Sequence, residues 1–227
     1  MTKRSPDDAF LDVVAHELRT PVTTIYAAAY VLASDHLGED ARATTAADLV
    51  HEVEALYRLI EDLLVYGRAT SPDTVEHEPV LVSRVVLEVI EQERVLVSDH
   101  RIAFSGPRDA VAEAADPTMV RHIIRNLLDN AIRYAPIGGT VEVIVNQTAD
   151  EVVVRVLDGS RHVGEAEDDG ALAIHPQDQP RTAAQRAGAG LRLHVASRLA
   201  TAMGGRTWAG PRDGAGAEFG FALPRSA

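Results

Sequence analysis

The sequence predicts a multi-domain α and α/β protein: an antiparallel helical hairpin that forms a dimeric four-helix bundle, followed by an α/β sandwich. Three observations carry the prediction. Apolar residues recur three and four apart from Phe10 to Gly67, runs that alternate with period two appear only beyond Arg101, and a glycine- and proline-containing stretch separates the two patterns.

The first helix is expected from Pro6 to about Ser34, with a seam at Phe10, Val14, Leu18, Pro21 or Val22, Ile25, Ala28 or Ala29, and Leu32. "SDHLGED" breaks the pattern. A second seam follows at Leu49, Val53, Leu56, Ile60, Leu63 and Gly67. A hairpin of this kind buries one stripe per helix and encloses no core, so pairing with a second copy into a four-helix bundle is the economical solution and predicts a homodimer. "GRATSPDTVEHEP", Gly67 to Pro79, reads as the connector. The expected domains are therefore 1–70, helical, then a linker at 71–79, then 80–227, the α/β domain.

Within the second domain the pattern predicts a helix near Ser83 to Ser98, short strands near Arg101 to Phe104 and Ala110 to Glu113, and a helix from Pro117 to Tyr134. "TVEVIVNQ" and "EVVVRVLD" alternate strictly and read as a hairpin at the centre of the sheet. From Gly159 to Ala187 periodicity is lost, which suggests a functional or mobile loop. A helix from Leu191 to Met203, ended by Gly204 and Gly205, and a closing pair, "RTWAG" and "AEFGFALP", complete the domain. There is no internal repeat.

Composition bounds the chemistry. A chain of 227 residues, 46% hydrophobic, can bury a real core. It has no cysteine, which excludes a disulfide framework, a thiolate metal site and a cysteine nucleophile, and fits a reducing compartment. A formal charge of -12 argues against nonspecific contact with nucleic acid or an anionic membrane. No apolar run approaches the roughly 20 residues that span a bilayer, and the opening "MTKRSPDDAF" lacks the apolar core of a signal peptide. The expectation is a cytoplasmic protein with no nucleic acid and no membrane contact.

"VAHELRTPVTTI" places His16, Glu17, Thr20 and Pro21 within two turns of the first helix. An isolated helix histidine is ordinarily a partly buried packing residue. A neutral imidazole is also a nucleophile, and an adjacent carboxylate accepting a proton from its other ring nitrogen would fix the tautomer and raise its reactivity. Pro21 removes a helix hydrogen bond and is expected to bend the helix, exposing the preceding turn. Thr20, four residues after His16, shares its face and has a hydroxyl able to position a water. In "RNLLDNAIRYAP", Asn126 and Asn130 stand four apart on one face, with Arg133 and Tyr134 in the next turn. Solvated asparagines are the plain alternative, but these flank Leu127, Leu128, Ala131 and Ile132 and need partners there. Amide oxygens are hard ligands suited to magnesium, arginine meets phosphate, and tyrosine can contact a nucleobase.

"HELRTP" followed by "NLLDNAIRYAP" resembles the sensor histidine kinases of two-component signalling, and the resemblance extends over nearly the whole chain. It implies a dimerisation and histidine-phosphotransfer hairpin, then a catalytic domain of the Bergerat type shared with gyrase and heat-shock chaperones. It further implies that ATP, with Mg, phosphorylates His16, and that the phosphoryl group passes to an aspartate on a response-regulator receiver domain. By the same resemblance Glu17 is the base and Thr20 orients water in a phosphatase reaction. Asn126 and Asn130 are the magnesium-site asparagines, and Arg133 and Tyr134 fall at phosphate- and adenine-contacting positions.

Two boxes depart from the family pattern. Asp158 in "LDGSRHVG" stands where an aspartate takes the adenine amino group, but Ser160 and His162 replace the glycines that follow. "GAGLRL" keeps Gly188, Gly190 and Leu191 at nucleotide-binding positions, with Arg192 where a third glycine is usual; arginine there either replaces phosphate contacts or fills the pocket. The lid that follows Gly164 has no phenylalanine and carries the acidic run "EAEDD". Two readings follow: an active kinase, or a degenerate one that serves as a dimeric interaction, phosphotransfer or phosphatase module with weak or no ATP binding.

Overall fold

A computed structural model describes residues 6–34, 37–69, 77–96, 99–158, 183–212 and 216–225. They divide into two compact units, the first holding residues through Leu64 together with a stretch that ends at Leu191, the opening part of the fifth helix, and the second holding the rest.

The first unit is helical. Helix α1 (Pro6–Leu32) continues through Pro21, and α2 (Glu39–Ala69) follows a short connector. Arg42, in the first turn of α2, reaches back and donates to orphan carbonyls at the end of α1, from Nη1 to Leu32 O at 3.2 Å and from Nη2 to Ser34 O at 3.0 Å. Two long amphipathic helices alone leave much apolar surface in water. Val22, Tyr26 and Tyr30 on α1, and Val53, Tyr57 and Ile60 on α2, are exposed in the single chain.

The second unit is an α/β sandwich. Strand β1 (Glu78–Leu81) leads into α3 (Val82–Leu96), β2 (Arg101–Ser105), β3 (Val111–Ala115) and α4 (Pro117–Tyr134). Then come β4 (Thr140–Gln147), β5 (Glu151–Leu157), α5 (Ala183–Ala202), β6 (Arg206–Pro211) and β7 (Ala217–Pro224). The main sheet runs β2-β4-β5-β7-β6, with β2 parallel to β4 and every other pair antiparallel. The strict alternation of β4 and β5 is realised as expected, with Val141, Val143, Val145, Val152, Val154 and Val156 all buried. Their turn is held by Thr148, whose Oγ1 accepts from Asp150 N at 3.3 Å and Glu151 N at 3.0 Å. Helix α4 packs across β4, β5 and β7 and against α3.

The structure adds one strand to the expected set. Strand β1 pairs antiparallel with β3 in a separate two-stranded sheet, and it takes in Pro79. Proline lacks the N–H a ladder needs, and the register here shifts between Glu78 and Val80, the kind of irregularity where proline is tolerated. Helix α5 also starts earlier than the expected Leu191, at Ala183, so Gly188 and Gly190 lie inside a helix. The alanines of "AAQRAGAG" outweigh two glycines that each cost about 1 kcal/mol in a helix. Its end is where glycine was expected: Gly204 has φ 71° and Gly205 N donates to Ala200 O at 2.8 Å.

Candidate functional site

On α1, His16 is exposed while Glu17 and Thr20 are half-buried and Pro21 is buried. The Thr20 hydroxyl donates to the His16 carbonyl at 3.3 Å. Thr23 and Thr24 do the same one turn on, to Arg19 O at 2.7 Å and Thr20 O at 3.2 Å. Such bonds back to the carbonyl four residues earlier are those that bend helices, and here they cluster around the residue that cannot donate an N–H. The imidazole at position 16 is thus presented to solvent from a helix whose next turn is anchored by the buried proline ring.

In the second unit, α4 carries the polar set. Its start is fixed by Asp116, whose Oδ1 accepts from Thr118 N at 2.8 Å and Met119 N at 3.1 Å, with Pro117 in the first turn. This sets the rotation of the helix. Met119, Val120, Ile123, Ile124, Leu127 and Leu128 enter the core, and the same rotation carries Asn126 and Asn130 inward, 2% and 0% exposed. The solvated alternative for these asparagines is therefore excluded. Asn126 Nδ2 donates to Arg192 O at 3.5 Å. Neither amide atom of Asn130 has a hydrogen-bond partner among the described residues. A buried, unpartnered primary amide costs about 1–3 kcal/mol, so its retention points to a ligand.

Asp158 stands just past the end of β5 and is 1% exposed. Its Oδ1 accepts from Ala217 N at 2.6 Å and its N donates to Ala217 O at 3.0 Å, which holds the carboxyl in one orientation. Arg133 is exposed on the last turn of α4, Tyr134 ends that helix, and Leu191 is buried in α5. Gly188 and Gly190 are part of α5. Ser160, His162, Gly164 and the acidic run "EAEDD" lie outside the described residues.

Local sequence gives no hint of one relationship. Arg192 is 9% exposed, and its Nη1 lies 3.9 Å from Asp129 Oδ2, beside the asparagine face of α4. The two residues are far apart in the chain, and only the fold brings them together.

A sandwich whose helix α4 buries two asparagines, and in which a fixed, buried aspartate follows a core strand, has the polar set of a nucleotide-binding ATPase domain, and here it accompanies a helical histidine-bearing unit. Comparison with known families agrees. Residues 115–227 match the model described as histidine kinase-, DNA gyrase B-, and HSP90-like ATPase, and residues 8–72 match the His Kinase A (phospho-acceptor) domain. The chain belongs to the sensor histidine kinases of two-component systems. It is 30% identical over 220 residues to the adaptive-response sensory kinase SasA of Parasynechococcus marenigrum, covering 96% of this chain and 56% of SasA. With the sensor protein KdpD of Clostridium acetobutylicum it shares 28% over 215 residues, covering 93% of this chain and 24% of KdpD. The chain thus spans about half the length of the first and a quarter of the second. Among solved structures, the histidine kinase ThkA, determined in complex with the response regulator protein TrrA, shares the fold with a TM-score of 0.65 at 19% identity, covering 93% of this chain and 60% of that one.

Proposed function

We propose that this chain is a kinase core that autophosphorylates His16 from ATP and passes the phosphoryl group to an aspartate on a response-regulator receiver domain. The observation that carries the reading is Asn130, fully buried with an unpartnered amide on the helix of an ATPase domain. In this reading residues 1–70 receive the phosphoryl group, 71–79 connect, and 80–227 bind nucleotide.

The chemistry needs positioning and charge neutralisation more than covalent machinery. The exposed imidazole of His16 attacks the terminal phosphorus of ATP: a nitrogen–phosphorus bond forms, the bond to the ADP oxygen breaks, and Glu17 takes the imidazole proton. Thr20 orients water for a separate phosphatase reaction, in which the water oxygen bonds to the regulator's phosphorus, the bond from phosphorus to the aspartyl oxygen breaks, and phosphate is released. Asp158 takes the adenine amino group, and Gly188, Gly190 and Leu191 line the nucleotide. Arg133 and Tyr134 meet phosphate and adenine.

The donor set fits a magnesium ion. The Asn130 amide oxygen is a hard donor lacking a partner, and Asn126 lies one turn away on the same face. Magnesium binds through few protein oxygens and keeps the rest of its shell for water and phosphate, so two asparagines suffice. When bound it supplies charge neutralisation on the phosphates. The apolar face of the hairpin, with Tyr26, Tyr30 and Tyr57 exposed in one chain, supports a homodimer that covers it. No helix among the described residues is long and apolar enough to cross a membrane, and with the absence of cysteine this supports a cytoplasmic setting.

The test is incubation of the purified chain with magnesium and γ-labelled ATP, beside His16→Ala and Asn130→Ala. Acid-labile label that disappears in both variants supports the kinase; absence of label together with absence of thermal stabilisation by ATP overturns it.

A further inference from the structure

We propose that Arg192, at a position where the family pattern carries glycine, is a polyphosphate-binding residue of this chain, held in reserve by Asp129 until nucleotide arrives. The inference rests on the nucleotide-site reading of α4 and goes beyond it by assigning the phosphate-recognising cation.

A guanidinium carries five donors and cannot lose its charge, so burying one without acceptors is costly. Arg192 is 9% exposed, and Nη1 makes no hydrogen bond among the described residues. Its carboxylate neighbour, Asp129 Oδ2, is 3.9 Å away, close enough for attraction and too long for a hydrogen bond. Asp129 adjoins Asn130, whose amide is unpartnered as well, and Asn126 donates to the Arg192 carbonyl. Two buried polar groups with unmet hydrogen bonds among the described residues therefore stand on facing helices, Asn130 on α4 as a hard oxygen donor and Arg192 on α5 as a forked cation, linked through Asp129 and Asn126. A metal-bearing phosphate chain supplies what both lack: oxygens for the fork and a cation for the amide. A structural brace would have closed the arginine–aspartate distance. A residue obstructing the site would leave Asn130 with no occupant. Asp129 keeps the guanidinium in place and competes with phosphate for it.

Calorimetric titration of the full chain with ATP, ADP and adenosine, in magnesium, tests this. Arg192→Gln weakens ATP and ADP about tenfold or more while adenosine changes by no more than about twofold, because a lost charge-assisted bond affects only the phosphate-bearing ligands. Asp129→Asn tightens ATP severalfold with Arg192 present and not in the Arg192→Gln background. Equal weakening of all three ligands, unchanged ATP binding, or tighter ATP binding in Arg192→Gln overturns the proposal. Should Arg192→Gln not fold, the single Asp129→Asn variant decides it: ATP affinity that stays the same or falls overturns it. A wild-type chain that binds none of the three ligands overturns the nucleotide reading and this inference with it.

Discussion

Trp208 and Gly220 face each other across β6 and β7, and the indole fills the space in which a side chain at Gly220 would stand. An aromatic ring laid over a strand glycine repairs the packing that glycine leaves out. A Cβ at Gly220 would overlap the ring itself, so Gly220→Ala is expected to destabilise the domain by about 1–3 kcal/mol. Urea denaturation measures this, and adding Trp208→Ala should recover part of the loss. A Gly220→Ala chain as stable as the wild type would show that the ring is not confined there.

The same indole donates to Glu218 Oε1 at 2.9 Å, and Arg155 grips that carboxylate with Nε at 2.8 Å and Nη2 at 2.6 Å. The Arg155 hydrogen bonds, chiefly, hold the Glu218 carboxyl below the usual carboxylate range, helped by Trp208 and opposed by burial. A carboxyl whose folded value is depressed adds stability above its unfolded value of 4.5 and loses it as pH falls through the folded value. Solvent reaches Arg155, so the pair contributes about 1 kcal/mol near neutrality. Glu218→Gln is expected to lower stability by that amount at pH 7. The gap should close as the pH drops below 4.5, a trend followed by urea titrations at stepped pH. A gap independent of pH would assign the loss to packing.

Helix α4 begins at a cap that sets the rotation of both asparagines. Asp116→Ala removes the acceptor for Thr118 N and Met119 N and is expected to cost about 1 kcal/mol. Asp116→Asn, which retains an oxygen acceptor, should recover most of it. Thermal melts distinguish the two. Equal melting of Ala and Asn variants would locate the contribution in the charge at the helix start instead.

Local rules made most of the fold legible and left its long-range contacts hidden. The alternation of β4 and β5, the Asp116-Pro117 start of α4 and the double glycine after α5 are each written in a few adjacent residues. Strand β1 was not legible, because Pro79 directly after Glu78 looks like a connector until β3 supplies a partner. The start of α5 was not legible because Gly188 and Gly190 interrupt a run whose alanines otherwise favour a helix. At the site, the spacing of Asn126 and Asn130 was visible and their burial followed from their apolar neighbours. The nearness of Arg192 to Asp129 was not visible, since no periodicity links residues on α4 and α5. The hydrogen bond from Trp208 to Glu218 was not visible either, since it crosses between two strands.

Asn130 offers the sharpest separation of stability from function. Its amide is fully buried and unpartnered among the described residues, a state that costs the folded chain about 1–3 kcal/mol when no ligand is bound. Leucine has nearly the same branched outline and nothing to satisfy, and the positions around it, Leu127, Leu128 and Ala131, are already core. Asn130→Leu is therefore expected to raise the stability of the nucleotide-free chain by roughly 1 kcal/mol, which is a few degrees in Tm. Autophosphorylation should fall about a hundredfold or more, since the lost oxygen cannot be replaced by a methyl group. Adding ATP and magnesium should raise the Tm of the wild type and leave that of the variant unchanged, so the order of the two stabilities narrows or reverses with ligand. A variant that is both less stable and equally responsive to ATP would mean that the amide serves the fold and that the ligand is held elsewhere.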